Sequence, residues 1–571
     1  MSNFLRRLIS LKCLLALALA SWPAVARAST YVVFIPLDSP VYEELDTLNG
    51  LGYLDTWLNE IKPISRVEAA RLALEAEGNV EQSAAADPLA QELVRNLRLE
   101  LHDEVGWLEN NVEDQLPSMA YPIQRVETQL LYSRGEQRQW RTSNTAVKSD
   151  AGINAEESTP LLPYNDAIQT ATGGNEIVRA SGWAGYGGFL TAYAEGAAAG
   201  PLSRNIKNNS RLQLLGSGGV LSWGNLAISL GTDEMWWGAG HFGPLAQGNA
   251  ASPFPAGRIQ SIHPTLLPGF LRYLGQFRFQ GFFGQLNSER YFSHPWIDGQ
   301  IFSFKPLPNF EFGFTHTIMF GGSHNNNYST LGFIGRATGF ATGSVSSGDT
   351  NSRGGIYLKF RIPKLRNLEV YQEILGEDNL TNEVAGIGRF LPFLAVSYQG
   401  GFYLPRLTAD GLTDFRFEYA LLEPNYSTHG DSLYWTYDGQ LMGNALGPNA
   451  TEVDLQIGRW FNVDKKLSNK ISLDLFYTEQ APGYGSNYSY PARFYPYTLG
   501  KEHSGGLAID LFHLPAPLGF GRGAASVLSG ISGRAGVEYV SDLNYRANSH
   551  SVRLLLMLSS TLEPPWHWQG Q

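Results

Sequence analysis

Large apolar residues alternate with polar or charged ones in segment after segment of this chain. Over 451–461, Val453, Leu455, Ile457 and Phe461 share one face, while Glu452, Asp454, Gln456 and Gly458 share the other. Over 470–478, Ile471, Leu473, Leu475 and Tyr477 oppose Ser472, Asp474 and Thr478; over 414–421, Phe415, Phe417, Tyr419 and Leu421 oppose Arg416 and Glu418. A strand presents successive residues to opposite faces, so each segment predicts a strand with one apolar and one charge-bearing face. In a soluble sandwich the polar face meets water and the apolar face a shared core. In a membrane barrel the apolar face meets lipid and the charged face a lumen. Alternation alone leaves both open.

Followed along the chain, the pattern marks sixteen ranges between 123 and 559, among them 177–198, 210–219, 220–231, 270–287, 300–305 and 391–406. Some hold two strands, so the count is about 16 to 18, and an even number is usual for antiparallel barrels. Ahead of them the spacing is helical. Ser39 and Pro40 open a helix with Tyr42, Leu45 and Leu48 on one side, which Gly50 and Gly52 end. Ser65-Arg66-Val67-Glu68 reads as a capping box that opens a helix to about Glu77. Asp87-Pro88 starts a third, with Leu89, Leu93, Leu97, Leu101, Val105 and Leu108 on one stripe. The expectation is a mainly β protein: a large outer-membrane β-barrel over 119–571, with a small periplasmic α-helical domain over 29–118 leaning on the barrel where the chain enters.

Residues 1–28 read as a secretory signal peptide, with Arg6, Arg7 and Lys12 ahead of an apolar run and Ala26-Arg27-Ala28 as the cleavage site. No later run of apolar residues is long enough for a spanning helix. Cleavage would take the formal charge from −11 to −15, because the leader carries four basic and no acidic residues. Such a chain is a poor partner for nucleic acid. The one cysteine, Cys13, lies in the leader, so no disulfide framework is expected. Composition turns the picture toward the barrel: 62 Gly, 27 Tyr, 30 Phe and 13 Trp in 571 residues, with a slightly negative mean hydropathy. Aromatics near strand ends, as in Trp183/Tyr186, Trp223, Tyr273/Phe277 and Trp460/Phe461, suggest interface girdles. The long connections 322–353, 424–450 and 480–502 would face outward, and the tight turns the periplasm.

Three stretches carry a family resemblance. They are Leu48-Asn49-Gly50-Leu51-Gly52 with the following Lys62 to Glu68; Gly231-Thr232-Asp233-Glu234-Met235-Trp236-Trp237-Gly238-Ala239-Gly240 with Asn249 to Pro255; and Tyr437 to Gly443 with Leu446 to Ala450. In these the chain resembles the Wzi capsule-assembly family of Gram-negative outer-membrane proteins. The resemblance implies an 18-stranded barrel with a periplasmic helical bundle, acting as a lectin for capsular or extracellular polysaccharide at the surface. It carries no individual glycan-contact residue over, and the chain is longer than a typical member around 138–175. Implied partners are that polysaccharide, outer-membrane lipid and other polysaccharide-export components.

The densest motif is 231–255. Asp233 and Glu234 are adjacent, so on a strand they point to opposite faces. Trp236, Trp237, Gly238 and Gly240 suggest a tight reversal that folds aromatics into the lumen, and Asn249 follows. The motif reads as a binding or gating element or as a structural plug. The polysaccharide-binding candidates are loop aromatics, because sugar rings stack on aromatic faces while polar side chains bond their hydroxyls. They are Tyr484, Tyr488, Tyr490, Tyr495 and Tyr497 with Arg493, and Tyr434 and Trp435 in another long connection. Glu369, Glu373, Glu418, Asp454 and Asp474 are carboxylates of the kind a glycosidase pairs, but cross-strand ion pairing with Lys359, Arg361 and Arg416 accounts for them without chemistry. No nucleophile elbow and no metal-ligand spacing is present, so no catalytic residue, metal or cofactor is expected. The alternative function is a diffusion channel for sugars or small solutes.

Overall fold

The computed structural model describes residues 30–83, 87–113, 115–141, 154–202, 211–288, 292–323, 350–377, 397–423, 426–427, 434–463, 468–481, 501–518, 527–564 and 567–569. Eighteen antiparallel strands close a barrel. The first five are Met119–Arg134, Gly173–Tyr186, Leu190–Pro201, Arg211–Trp223 and Leu226–Thr232. Pro255–Ser261, Gln276–Gln285, Trp296–Leu307, Phe310–Phe320 and Thr350–Ile362 follow. Then come Leu368–Glu377, Ser397–Leu404, Thr413–Leu422 and Ala450–Phe461. Asn469–Gln480, Glu502–Leu518, Val527–Ser541 and His550–Glu563 complete the wall. Each pairs with its neighbour in sequence, and the first closes on the last, with Val126 opposite Leu562.

Side-chain burial decides the question that alternation leaves open. On Ala450–Phe461, Asp454 and Gln456 point inward and are buried, whereas Ile457 and Phe461 are exposed. The same inversion holds around the wall: Glu127, Arg179, Arg278, Lys359, Glu418 and Arg553 are buried, while Leu230, Leu475, Ile509 and Leu558 are exposed. Charges inside and leucines outside is the polarity of a barrel whose outer solvent is lipid.

The 16 ranges resolve into 18 strands for two reasons. Range 177–198 holds two strands joined at Gly187 and Gly188, both at positive φ. The strand Pro255–Ser261 has no counterpart in the alternation, because Ile259 is its one large apolar residue. The boundary expected near 219/220 lies at the turn after Trp223. Of the aromatic pairs, Tyr186, Trp223, Tyr273 and Phe461 are exposed at strand ends. Trp183, Phe277 and Trp460 are not girdle residues. Trp183 stacks on Tyr121 at 4.8 Å, Phe277 lies under the 3-10 turn Gly269–Leu274, and Trp460 joins the helical core.

Among the described residues four α-helices stand at the end of the short turns: α1 Pro40–Leu51, α2 Arg66–Gln82, α3 Pro88–Glu100 and α4 His102–Glu109. Ser39 Oγ accepts from Val41 N and Pro40 takes the first turn. Ser65 Oγ accepts from Glu68 N, but the Glu68 carboxylate does not return to Ser65. It bonds Arg71 and His263 instead. The single stripe expected from Leu89 to Leu108 is interrupted at Leu101, whose φ/ψ of −108°/27° separates α3 from α4. Leu45, Leu48, Leu72, Leu93 and Leu97 fill a core that continues into Trp460 and Val463 of the barrel. The helices therefore fit into the barrel mouth, and their packing is shared with its wall.

Candidate functional site

Between Thr232 and Pro255 the chain leaves the wall and turns into the lumen. Arg258, buried on the next strand, anchors the departure: its guanidinium pairs with the Asp233 carboxylate and donates to Asp233 O at 2.6 Å. Glu234 faces the other way, accepting from Leu37 N at 3.2 Å. Trp236 and Trp237 then pair antiparallel with Lys62 and Ile61 from the helical end. Trp237 N donates to Gln247 O and Gly238 N to Glu60 O. The inward fold and the helical unit thus meet mid-lumen through a short ladder.

Two wall carboxylates receive the reversal. Glu373 accepts from Ala239 N at 3.0 Å. Glu418 accepts from His241 N at 2.7 Å, Phe242 N at 3.2 Å, Tyr371 Oη at 2.6 Å and Gln399 Nε2 at 2.6 Å. Glycine is required where the chain comes this close. A Cβ on Gly238 (φ +149°) would lie 2.7 Å from Glu373 Oε2, and one on Gly240 only 2.2 Å from Gly243 O. Glu373 and Glu418 are therefore not cross-strand ion-pair partners. That reading holds for Lys359, which lies 3.0 Å from Glu311 and 3.9 Å from Glu369, and also reaches Glu60 of the helical end at 2.6 Å. Arg416 instead places its guanidinium over the Tyr403 ring, and Asp474 lies 3.7 Å from Arg534.

The fold is sealed by an apolar core of its own. Trp237, Met235, Leu245 and Phe254 pack with Phe282, Ile301 and Met319 of the wall and with Tyr426, Trp435 and Met442. Arg353, fully buried, donates to Ala246 O at 2.7 Å and lies 3.7 Å from the Trp435 ring centroid. Tyr426 Oη donates to Leu245 O at 2.6 Å. Asn249 joins a third inward segment: its carbonyl accepts from Asp166 N, and Nδ2 donates to Asp166 Oδ1. Trp236 meets Tyr164 of that segment edge-on at 5.2 Å.

Of the sequence candidates, Asp233, Glu234, Trp236, Trp237, Gly238, Gly240 and Asn249 come together in this internal plug. Tyr434 and Trp435 are 7% and 0% exposed, so neither ring presents a face for stacking at the surface. Tyr484, Tyr488, Tyr490, Arg493, Tyr495 and Tyr497 lie outside the described residues. Sequence reasoning missed Arg258, Arg353, Tyr164 and Asp166 as plug anchors. A buried arginine on a strand carries no local sequence signal that separates it from any other lumen charge.

The helical end is held by charges as well. Lys470 reaches Glu43 at 2.5 Å and Asp414 at 2.7 Å, and Lys305 Nζ donates to Trp57 O at 2.8 Å. Burial alone would raise the Glu68 carboxyl, but Arg71 and His263 outweigh it and hold the group at about 2. At Glu100 the balance is reversed: burial, then the Glu563 carboxylate, outweigh Arg66 and Arg125 and push it up to about 8. Burial and the Glu100 charge push Glu44 well up too.

The plug occupies one side of the lumen. Along the other runs a cavity of about 590 Å³ against the strands from Ala450–Phe461 to His550–Glu563 and the first strand. No group of metal-ligating side chains occurs among the described residues.

A family model described as capsule assembly protein Wzi matches residues 142–510. A Klebsiella pneumoniae protein, described as an uncharacterized 55.8 kDa protein in the cps region, is 25% identical over 300 residues. That match covers 49% of this chain and 57% of the relative, so the chain spans little more than half of that protein. Among solved structures, Escherichia coli Wzi is described as an outer membrane protein involved in group 1 capsule assembly and a carbohydrate-binding β-barrel. It superposes with a TM-score of 0.59 at 16% identity, covering 93% of this chain and 99% of that one. At that identity the likeness is one of fold. The family model spans well over half of the sequence, and the chain belongs to the Wzi family of capsule assembly proteins.

Proposed function

We propose that this protein sits in the outer membrane and holds surface polysaccharide as part of capsule or exopolysaccharide assembly. In this reading the helical unit faces the periplasm and the long connections face outward. The observation that carries the reading is the plugged lumen of a Wzi-family barrel. A passage narrowed to one side by 233–254, braced by Arg353 and met from below by the helices, suits a surface-binding protein better than a solute channel. The carbohydrate-binding description of the Escherichia coli barrel agrees with it. The aromatic connection with Tyr488 and Tyr495 is our candidate contact, and the reading assigns no catalytic residue.

The test is binding of the source bacterium's own surface polysaccharide to purified protein folded in detergent, alongside Tyr488→Ala/Tyr495→Ala. Saturable binding weakened in the double variant is the expected result. Binding left intact by the variant moves the contact elsewhere on the protein. Folded wild type that binds no polysaccharide, yet conducts ions in planar bilayers, overturns the reading in favour of the channel.

A further inference from the structure

The cavity beside the plug is unlike the rest of the lumen. Elsewhere, several wall carboxylates are matched: Glu418 accepts four hydrogen bonds, Glu311 pairs with Lys359, and Asp414 with Lys470. Around the cavity eleven acidic side chains stand against four of lysine or arginine. Four of the acidic ones make no carboxylate hydrogen bond or ion pair with any described residue: Glu100 and Glu563 toward the helices, and Glu452 and Asp454, which form a pair on the wall. They lie two apart on one strand, so both point inward, and Asp454 is 92% buried (8% exposed) while lining the cavity. A buried carboxylate without donors is costly. Both carboxylates border the cavity, where water or the polar groups of a ligand can donate to them.

The walls indicate what kind of ligand that is. Asp454 stands opposite Phe476 and Glu452 opposite Thr478 in the strand register. Phe476 is a lumen-side aromatic that no apolar cluster covers among the described residues, and it keeps part of its surface open to the cavity. Across the space, Trp236, Tyr164 and Phe242 of the inward segments add further ring surface. Ring faces interleaved with hydrogen-bond acceptors match a pyranose, which has apolar C–H faces and a rim of hydroxyl donors. The volume is within the usual range for ligand sites, about 300–1,000 Å³. The cavity is also elongated. It extends from Trp140 and Asn444 near the long connections to Phe512 and Glu563 near the helices.

We propose that this cavity binds a short, non-anionic saccharide, with Glu452 and Asp454 accepting from its hydroxyl or amino groups and Phe476 stacking on a ring. The excess of carboxylates excludes uronic acids and favours a sugar that carries a protonated amine. The proposal rests on the reading of this barrel as a polysaccharide-binding protein, and it adds an internal site and a substrate class to that reading.

The experiment is calorimetric titration of the detergent-folded full chain with three probes: a glucosamine trimer, maltotriose and a galacturonate trimer. Affinity is expected to fall in that order. Asp454→Asn should weaken the glucosamine trimer by about tenfold, the size of one charged hydrogen bond, and maltotriose by less. Phe476→Leu should weaken both. Thermal unfolding without ligand checks that each variant is folded. Absence of binding for the first two probes, unchanged affinities in both variants, or galacturonate binding as tightly as glucosamine overturns the proposal. So does an Asp454-dependent heat from calcium chloride alone with none from the saccharides, which would assign the cavity to a cation. Native polymer titrated in parallel separates the two readings. Polymer binding without trimer binding removes the internal site alone, and trimer binding without polymer binding removes the surface function alone.

Discussion

Glu418 shows how one lumen side chain organises its surroundings. Its two oxygens take two backbone N–H groups of the reversal, one tyrosine hydroxyl and one glutamine amide. Hydrogen bonds to a charged group are worth about 1.5–3 kcal/mol each, and the His241 and Phe242 amides both donate to this one carboxylate. Glu418→Gln keeps the size of the side chain but removes the charge and turns an NH2 toward those donors. We expect the inward fold to open locally more often, so that hydrogen exchange at the 241–242 amides rises about ten- to a hundredfold while the barrel amides stay protected. Equal exchange in variant and wild type would mean that the apolar core around Trp237 holds the reversal by itself. Gly240 makes the same point sterically, since no side chain fits between Gly243 O and Gln399.

At the scale of elements, the helical unit combines groups of opposite titration behaviour. Glu68, held near 2, contributes stability that is present above its ordinary value of 4.5 and lost as the pH falls toward 2. Glu100, raised to about 8, works in the other sense: its contribution is fully present below 4.5 and lost as the pH rises toward 8. The groups facing it are Glu44 and Glu104 of its own unit, Arg66, and Arg125 and Glu563 of the barrel. Glu100→Gln should match wild type near pH 4.5 and unfold at a higher temperature at pH 8, read from the fluorescence of buried Trp57. A gain of the same size at both values would contradict the raised carboxyl. Elements also mark where sequence was legible. Strands such as Ala450–Phe461 and Asn469–Gln480 were readable because lipid and lumen impose strict alternation. Pro255–Ser261 was not, because its inward Arg258 and Gln260 serve the plug and Ile259 is the one large apolar residue on its outer face. The helix starts at Ser39 and Ser65 were readable from local capping. The break at Leu101 was not, since the apolar stripe continues through it. The 231–255 motif announced an inward turn, but its anchors Arg353, Glu373 and Tyr164 come from distant strands and connections that only the closed barrel brings together.

For the whole molecule, the decisive property is that polarity is inverted relative to a water-soluble protein, and this can be tested at a single site. Leu475 lies midway along Asn469–Gln480, exposed on the outer face, with Leu455 and Leu507 opposite it on the flanking strands. On a water-facing surface an exposed leucine exchanged for arginine changes stability by no more than about 0.5 kcal/mol. At the midplane of a bilayer the same exchange costs about 2–4 kcal/mol, because the guanidinium must be hydrated or drawn toward a headgroup. Leu475→Arg is therefore expected to lower stability by that larger amount when the protein is folded into lipid vesicles and titrated with denaturant. Phe461→Arg, at the strand end among the girdle aromatics, should cost far less, since the side chain there reaches the interface. The difference between the two positions carries the argument. Equal and small costs would place the outer leucines in water and refute the membrane barrel. Equal and large costs would show that packing between neighbouring side chains, and not depth in lipid, sets the penalty.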